Sequence, residues 1–195
     1  MEWILASQSP RRKELFGELV QEFEIIPAKG EERVDEGLTP DALVQALAGQ
    51  KAGEISLLPQ AENKGILGSD TVVALDGEIL GKPKDKADAK RMLTALSGRV
   101  HQVYTGVCFS VPQSDGTRKE WRSVACTQVY FNRLTEAQID EYIEGGSPMD
   151  KAGAYGIQDG GLVEKIEGSF TNVVGLPVEL CKALLKEIQA DLKAE

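Results

Sequence analysis

Two serines and two arginines crowd into one short stretch near the start of the chain, Ser7-Gln8-Ser9-Pro10-Arg11-Arg12. Ser9 is a good helix N-cap, and Pro10 then falls at the first helical position, where its missing N–H is no loss. Arg11 and Arg12 therefore sit in a first helical turn, where the backbone already carries partial positive charge and favours Asp or Glu. On an exposed helix that mismatch costs about a few tenths of a kcal/mol per residue. A bound anion reverses its sign, because free N–H groups, hydroxyls and guanidiniums then converge in a way that suits phosphate oxygens. The bland alternative is a pair of solvated arginines, and the local sequence leaves both readings open.

A second candidate is Asp70. It interrupts Ile66-Leu67-Gly68-Ser69-Asp70-Thr71-Val72-Val73-Ala74-Leu75, a run that otherwise reads as a strand buried on both faces. A lone buried carboxylate costs several kcal/mol unless a cation compensates it. The partner is a Lys, an Arg or a divalent metal, in a structural or a functional role. Lys51 lies among apolar residues on a predicted helix face, placed to snorkel or to enter a cleft. Lys82, in Gly81-Lys82-Pro83, is biased toward extended backbone and can reach back toward the Asp70 strand or lie on the surface. The glycine-rich stretch 145–161 lets backbone approach a ligand closely. It offers Asp150, Lys151, Tyr155 and Gln158 as hydrogen-bonding groups, and the Gln158 amide, both donor and acceptor, suits a base edge.

The elements that must position these residues follow in order. Trp3–Leu5 is a strand, followed by a helix with Leu15, Phe16, Leu19 and Val20 at helical spacing. Phe23–Pro27 is a short strand, and Gly30-Glu31-Glu32-Arg33-Val34-Asp35-Glu36 a solvated acidic loop. Thr39-Pro40 repeats the cap pattern and opens a helix with Leu43, Val44, Leu47, Lys51 and Ile55 near one face. After the 65–75 strand, Asp76-Gly77 turns a hairpin. Asp85 to Ser97 is an amphipathic helix stopped by Gly98. Val100–Val111 and Trp121–Phe131 form a long hairpin, and Thr135 with Gln138 makes a capping box for a helix to Ile143. Leu162–Ile166 is a strand, and Pro177 begins a last helix with a frayed, charged tail. The sum is one mixed α/β domain over residues 1–195.

The bulk numbers narrow the function. The 195 residues are 42% hydrophobic, enough for a full core, and the net charge is −9. A nucleic-acid binder normally shows a basic face, so an acidic chain with a local basic cluster fits a small anion with a divalent cation better. Cys108, Cys126 and Cys181 form no CxxC pair and read as buried thiols in a reducing compartment. The single histidine, His101, cannot build a His-rich metal site. No signal peptide and no membrane-spanning run of about 18 apolar residues is read. The expected location is the cytoplasm.

Taken together, these pieces resemble the Maf family of nucleoside triphosphate pyrophosphatases. The resemblance rests on Ser7-Gln8-Ser9-Pro10-Arg11-Arg12-Lys13-Glu14-Leu15, Gly68-Ser69-Asp70-Thr71-Val72-Val73 and Gly81-Lys82-Pro83. It extends through Leu96-Ser97-Gly98-Arg99-Val100-His101 with Thr105-Gly106-Val107, then Asp150-Lys151-Ala152-Gly153-Ala154-Tyr155-Gly156-Ile157-Gln158, and Asn172-Val173-Val174-Gly175-Leu176-Pro177. It implies a fold related to the inosine triphosphate pyrophosphatases, a central mixed sheet with two lobes flanking a cleft. It also implies hydrolysis of a nucleoside triphosphate to monophosphate and pyrophosphate with Mg²⁺ or Mn²⁺, and a homodimer in the cytoplasm. The Ala154–Gln158 segment resembles the branch acting on dTTP and UTP, a branch acting on 7-methyl-GTP being the alternative. By position, Asp70 matches the family's proton acceptor, and Arg11, Thr71 and Gln158 its specificity residues. Ser7, Arg12, Lys51 and Lys82 match its phosphate site. Glu32 or Glu31 matches an acidic position near the metal, although Gly30-Glu31-Glu32-Arg33 departs from the usual pattern. On this reading Asp70 binds the metal or deprotonates water, two roles the sequence does not separate, and His101 is structural. A nucleotide-binding regulator of cell division is the rival reading.

Overall fold

The computed structural model describes residues 1–32, 37–146 and 148–194, so the end of the acidic loop, Arg33 to Glu36, lies outside the described residues. Strands β1 (Trp3–Leu5), β2 (Phe23–Ile25), β3 (Gly65–Leu75), β4 (Glu78–Leu80), β5 (Val100–Pro112), β6 (Arg118–Phe131) and β7 (Val163–Glu167) form one mixed sheet. Its order is β2-β1-β3-β5-β6-β7, with β4 paired to β3. β1 runs parallel to β2 and β3, and the other pairings are antiparallel. Among the described residues, six α-helices complete the fold: α1 (Pro10–Gly17), α2 (Pro40–Ser56), α3 (Lys86–Leu96), α4 (Glu136–Gly145), α5 (Phe170–Val174) and α6 (Val178–Asp191), with short 3₁₀ turns at Pro59–Ala61, Pro148–Asp150, Ala152–Ala154 and Ile157–Asp159.

The alternation of side chains along the long strands explains the lobes. Odd-numbered residues of β3 and β5 share one face, and that face carries two separate cores. Leu67, Val107 and Phe109 pack at one end with Trp3, Phe16, Leu176, Cys181 and Ile188, beneath α1, α5 and α6. Val73, Val103 and Val129 pack at the other end with Leu93, Leu96, Ile139 and Tyr155, beneath α3 and α4. The opposite face holds Ile4, Ile66 and Cys108 against Ala48, Ala52 and Ile55 of α2. α2 lies very close to the sheet. A Cβ at Gly68 would stand 2.1 Å from the Ala48 carbonyl oxygen, and one at Gly106 2.3 Å from that of Val44.

β3 has an open edge at its middle. On the side away from β5 it pairs with β1 through Gly65–Leu67 and with β4 through Val73–Leu75. Between those two partners the ladder is missing, and the gap is the mouth of a cleft between the lobes. Asp70 and Thr71, the partly exposed break in an otherwise buried strand, sit at this gap.

Several expectations are corrected. α1 ends at Gly17, so Leu19 and Val20 lie beyond it, although both still pack on the core beneath α1. Thr39 holds the N-cap position of α2 without making the side-chain cap bond. Pro177 is the N-cap residue of α6 rather than its first helical residue. β6 starts three residues earlier than read, at Arg118. α5, a five-residue helix, is too short to show periodicity in the sequence. Cys108 and Cys181 are buried, with burial pushing each thiol up to about 12, but Cys126 is exposed on β6.

Candidate active site

The cleft has a volume of about 730 Å³ and takes its walls from both lobes. α1 enters it first. The Ser9 hydroxyl accepts from the Arg12 N–H at 3.4 Å, the expected cap, and Ser7 Oγ accepts from the Ser9 N–H at 3.2 Å. Arg12 is held by a fork of contacts. Its Nε donates to the Gly175 carbonyl at 2.9 Å, Nη2 to Thr71 Oγ1 at 3.0 Å and Nη1 to Ser7 Oγ at 3.4 Å. Burial lowers its pKa and Asp70 opposes that shift; an arginine so placed still carries its charge. Ser7 thus orients Arg12 from behind and is not part of the cleft lining, whereas Arg11 and Arg12 are.

The sheet supplies the floor. Asp70 and Thr71, as neighbours on a strand, point to opposite faces. Asp70 points to the α2 side and forms an ion pair with Lys51, in contact with its Nζ. Lys51 Nζ also reaches Glu32 Oε1 at 3.0 Å. Asp70 and Lys51 are mostly buried, with side chains 14% and 19% exposed, while Glu32 is 56% exposed. The cation that buried Asp70 needs is therefore Lys51, brought over β3 by the close approach of α2 at Gly68. Thr71 points to the α1 side, where its hydroxyl meets Arg12 and, at 2.9 Å, Thr105 Oγ1 directly across the ladder. Thr105 in turn donates to the Asn172 carbonyl at 3.0 Å.

The second lobe supplies the far wall. Asp150 takes a hydrogen bond from Lys151 Nζ at 2.9 Å and from Arg11 Nη1 at 3.4 Å, joining the glycine-rich segment to α1 across the cleft. Burial raises the Asp150 pKa, but Lys151 and Arg11 outweigh it and hold the carboxyl below its usual range. Tyr155 is buried against Phe131 and His101, with ring centroids 4.7 and 5.4 Å away, and its hydroxyl lies 2.7 Å from His101 Nε2. His101 anchors this wall from inside the core, as its structural reading requires. Lys82 and Gln158 line the cleft as exposed side chains that make no hydrogen bond or ion pair among the described residues.

The geometry gathers Arg11, Arg12, Lys51, Asp70, Thr71, Lys82 and Gln158 around one space. Glu32 lines it too, and Glu31 does not. Asp70 and Glu32 aim at one cationic point, now filled by the Lys51 ammonium. Among the described residues no group of three metal-ligating side chains occurs. A divalent ion here would take two carboxylates and complete its shell with water and ligand oxygens, which suits Mg²⁺. Tyr142 and Asp159, which brace the Gln158 segment, escape a sequence reading because one is an ordinary helix residue and the other an ordinary loop acid. Gly175, whose carbonyl seats Arg12, is visible beforehand only as part of a motif.

A family model described as "Maf-like protein" matches residues 2–188. A Bacillus velezensis protein named dTTP/UTP pyrophosphatase is 50% identical over 186 residues, covering 94% of this chain and 95% of its own. An Agathobacter rectalis protein of the same name is 45% identical over 202 residues, covering 97% and 98%. Among solved structures, a HAM1 protein from Coxiella burnetii superposes with a TM-score of 0.55 at 17% identity, covering 96% of this chain and 99% of that one, a likeness of fold.

Proposed function

The chain belongs to the Maf family, and from that premise we propose that it hydrolyses dTTP and UTP to the monophosphate and pyrophosphate. The observation that carries the reading is the pairing of Asp70 with Lys51 at the floor of a cleft whose walls bear Arg11, Arg12 and Lys82. A binding pocket for a triphosphate needs only the cations. A buried carboxylate at the same point adds a group that can orient water and take its proton.

The chemistry follows from placement. Arg12, fixed by three contacts, and Lys82, uncommitted, neutralise phosphate oxygens and favour departure of pyrophosphate. Arg11 and Lys51 join them once a triphosphate competes with Asp150 and Asp70 for their charge. Asp70 then faces a water positioned against the α-phosphorus. The water oxygen bonds to that phosphorus, the bond from it to the bridging oxygen of the β-phosphate breaks, and the water's proton passes to the Asp70 carboxylate. Mg²⁺ or Mn²⁺ held by Asp70 and Glu32 would supply further charge neutralisation of the phosphate oxygens. The Gln158 amide offers one donor and one acceptor to the base, matching the adjacent carbonyl and N–H of uracil or thymine. The proposal includes a homodimer and a cytoplasmic enzyme drawing on free nucleotides. Light scattering tests the first, with twice the 21.1 kDa chain mass expected.

Turnover in ¹⁸O-labelled water, read by phosphorus NMR, tests attack at the α-phosphorus. The label is expected in the monophosphate alone. Label in pyrophosphate would move the attack to the β-phosphorus and remove this mechanism. Asp70→Asn is expected to bind dTTP and lose turnover, and wild-type rates in that variant would exclude Asp70 as the proton acceptor.

A further inference from the structure

Gln158 is exposed at the cleft and makes no hydrogen bond among the described residues. Its amide is therefore available to a ligand, but its position depends wholly on its backbone. That backbone is the single 3₁₀ turn Ile157–Asp159. Tyr142, on α4 of the second lobe, holds the turn at both ends. Its hydroxyl donates to Asp159 Oδ2 at 2.5 Å and accepts from the Gly156 N–H at 3.0 Å. The turn is closed by the Asp159 N–H, which donates to the Gly156 carbonyl at 3.1 Å. Packing is tight at the same point, since a Cβ on Gly156 would lie 2.9 Å from Asp159 Oδ2 and 2.9 Å from Lys151 Cε. Burial and then Asp159 push the Tyr142 hydroxyl's pKa up, so it stays a donor at neutral pH.

We propose that Tyr142 and Asp159 are positioning residues for nucleotide selectivity: they pin the turn that carries Gln158 at a fixed distance from the phosphate-binding end of the cleft. The inference rests on the pyrimidine-triphosphate reading of that cleft. A terminal amide rotates freely, so its donor and acceptor can swap places and bond pattern alone separates bases poorly. Distance separates them better. Arg12 fixes one end through Gly175 and Thr71, and Tyr142 fixes the other, so the span between them suits one base size. A two-ring base places its edge further from the phosphates than a one-ring base does. Releasing the turn relaxes that measure without touching the reacting atoms.

The test compares kcat/KM for dTTP and dATP in the wild type, Tyr142→Phe, Asp159→Ala, Gln158→Ala and the double variant Tyr142→Phe/Gln158→Ala. Phenylalanine keeps the ring packing of Tyr142 and removes only the hydroxyl. Tyr142→Phe and Asp159→Ala are each expected to lower the dTTP-to-dATP ratio about tenfold, chiefly through KM for dTTP. Asp159→Asn, which keeps an acceptor for Tyr142, is expected to restore most of the ratio. In the Gln158→Ala background, Tyr142→Phe is expected to leave the ratio where Gln158→Ala alone puts it. Asp159 is exposed, so Asp159→Ala probes the same pin if Tyr142→Phe costs the fold. A wild-type ratio in both pinning variants, with the ratio lost in Gln158→Ala, overturns the inference and leaves the base reading intact. So does an equal drop whether or not Gln158 is present. A wild-type ratio in Gln158→Ala overturns the base reading itself and the inference with it.

Discussion

Replacing Lys51 by methionine keeps an unbranched side chain, one heavy atom shorter, and removes the ammonium with both its charge and its N–H donors. Asp70, 14% exposed in the wild type, then loses the ammonium in contact with it and keeps only the more distant Arg12 charge, and Glu32 loses its partner as well. Removing one member of a fully buried pair costs about 3–5 kcal/mol. Both partners here retain some solvent, so the expected cost is about 2–3 kcal/mol once screening is allowed for. For a chain of this length that is a fall in Tm of about 4–12 °C. Asp70→Asn should cost less, about 1 kcal/mol, because the amide still accepts from Lys51 and Glu32 still pairs with it. The double variant removes the uncompensated carboxylate altogether and should be more stable than Lys51→Met alone. Urea denaturation at pH 7 of the four proteins closes the cycle, with an expected coupling of about 1–2 kcal/mol. Mg²⁺ should raise the Tm of Lys51→Met more than that of the wild type, because two freed carboxylates then face one point. Strict additivity, with no Mg²⁺ effect, would refute the view that Lys51 is the compensating charge of Asp70.

Two other predictions concern the frame around the site. Burial lowers the His101 pKa from 6.5 to about 4, so the unfolded chain binds more protons between those values and stability falls as pH drops through that window. The full loss amounts to about 3 kcal/mol, and His101→Gln should flatten the pH dependence of Tm between pH 7 and 4; an unchanged slope would remove His101 as its source. Gly68→Ala places a methyl group against the backbone of α2, 2.1 Å from the Ala48 carbonyl oxygen, and should cost about 3 kcal/mol together with activity, since Lys51 moves with the helix. Gly53→Ala, on the same helix with nothing within 4 Å, should instead stabilise by about 0.5–1 kcal/mol. Equal effects at the two glycines would deny that close approach is the reason for Gly68.

Much of this architecture is legible in local chemistry. The Ser9-Pro10 cap, the Thr135–Gln138 capping box and the Asp76-Gly77 turn each act within a few residues, and each forms where its residue types require. Asp70 stands out because a carboxylate inside an apolar strand demands an explanation. What supplies that explanation is not local. Lys51 and Asp70 meet only because Gly68 and Gly106 let α2 settle onto β3 and β5, a property of the packed pair. The open edge of β3 is likewise invisible until β1 and β4 are seen to pair with its two ends. α5 and the 3₁₀ turns of the glycine-rich segment are too short for periodicity to reveal them. The bracing of the Gln158 turn by Tyr142 joins residues fourteen and seventeen apart across a helix end, Gly156 and Asp159, with no motif to announce it.

The proposed activity is cleavage of the α–β phosphate bond of dTTP and UTP in this cleft. Pyrophosphate release from a panel of dTTP, UTP, CTP, dATP, GTP and 7-methyl-GTP, with Mg²⁺ or Mn²⁺ at catalytic protein concentration, tests it most directly. Turnover selective for dTTP and UTP is the expected result. A preference for 7-methyl-GTP would contradict the role given to Gln158 while keeping the mechanism, and no turnover of any triphosphate with nucleotide still bound would contradict the reading of Asp70 as a catalytic group.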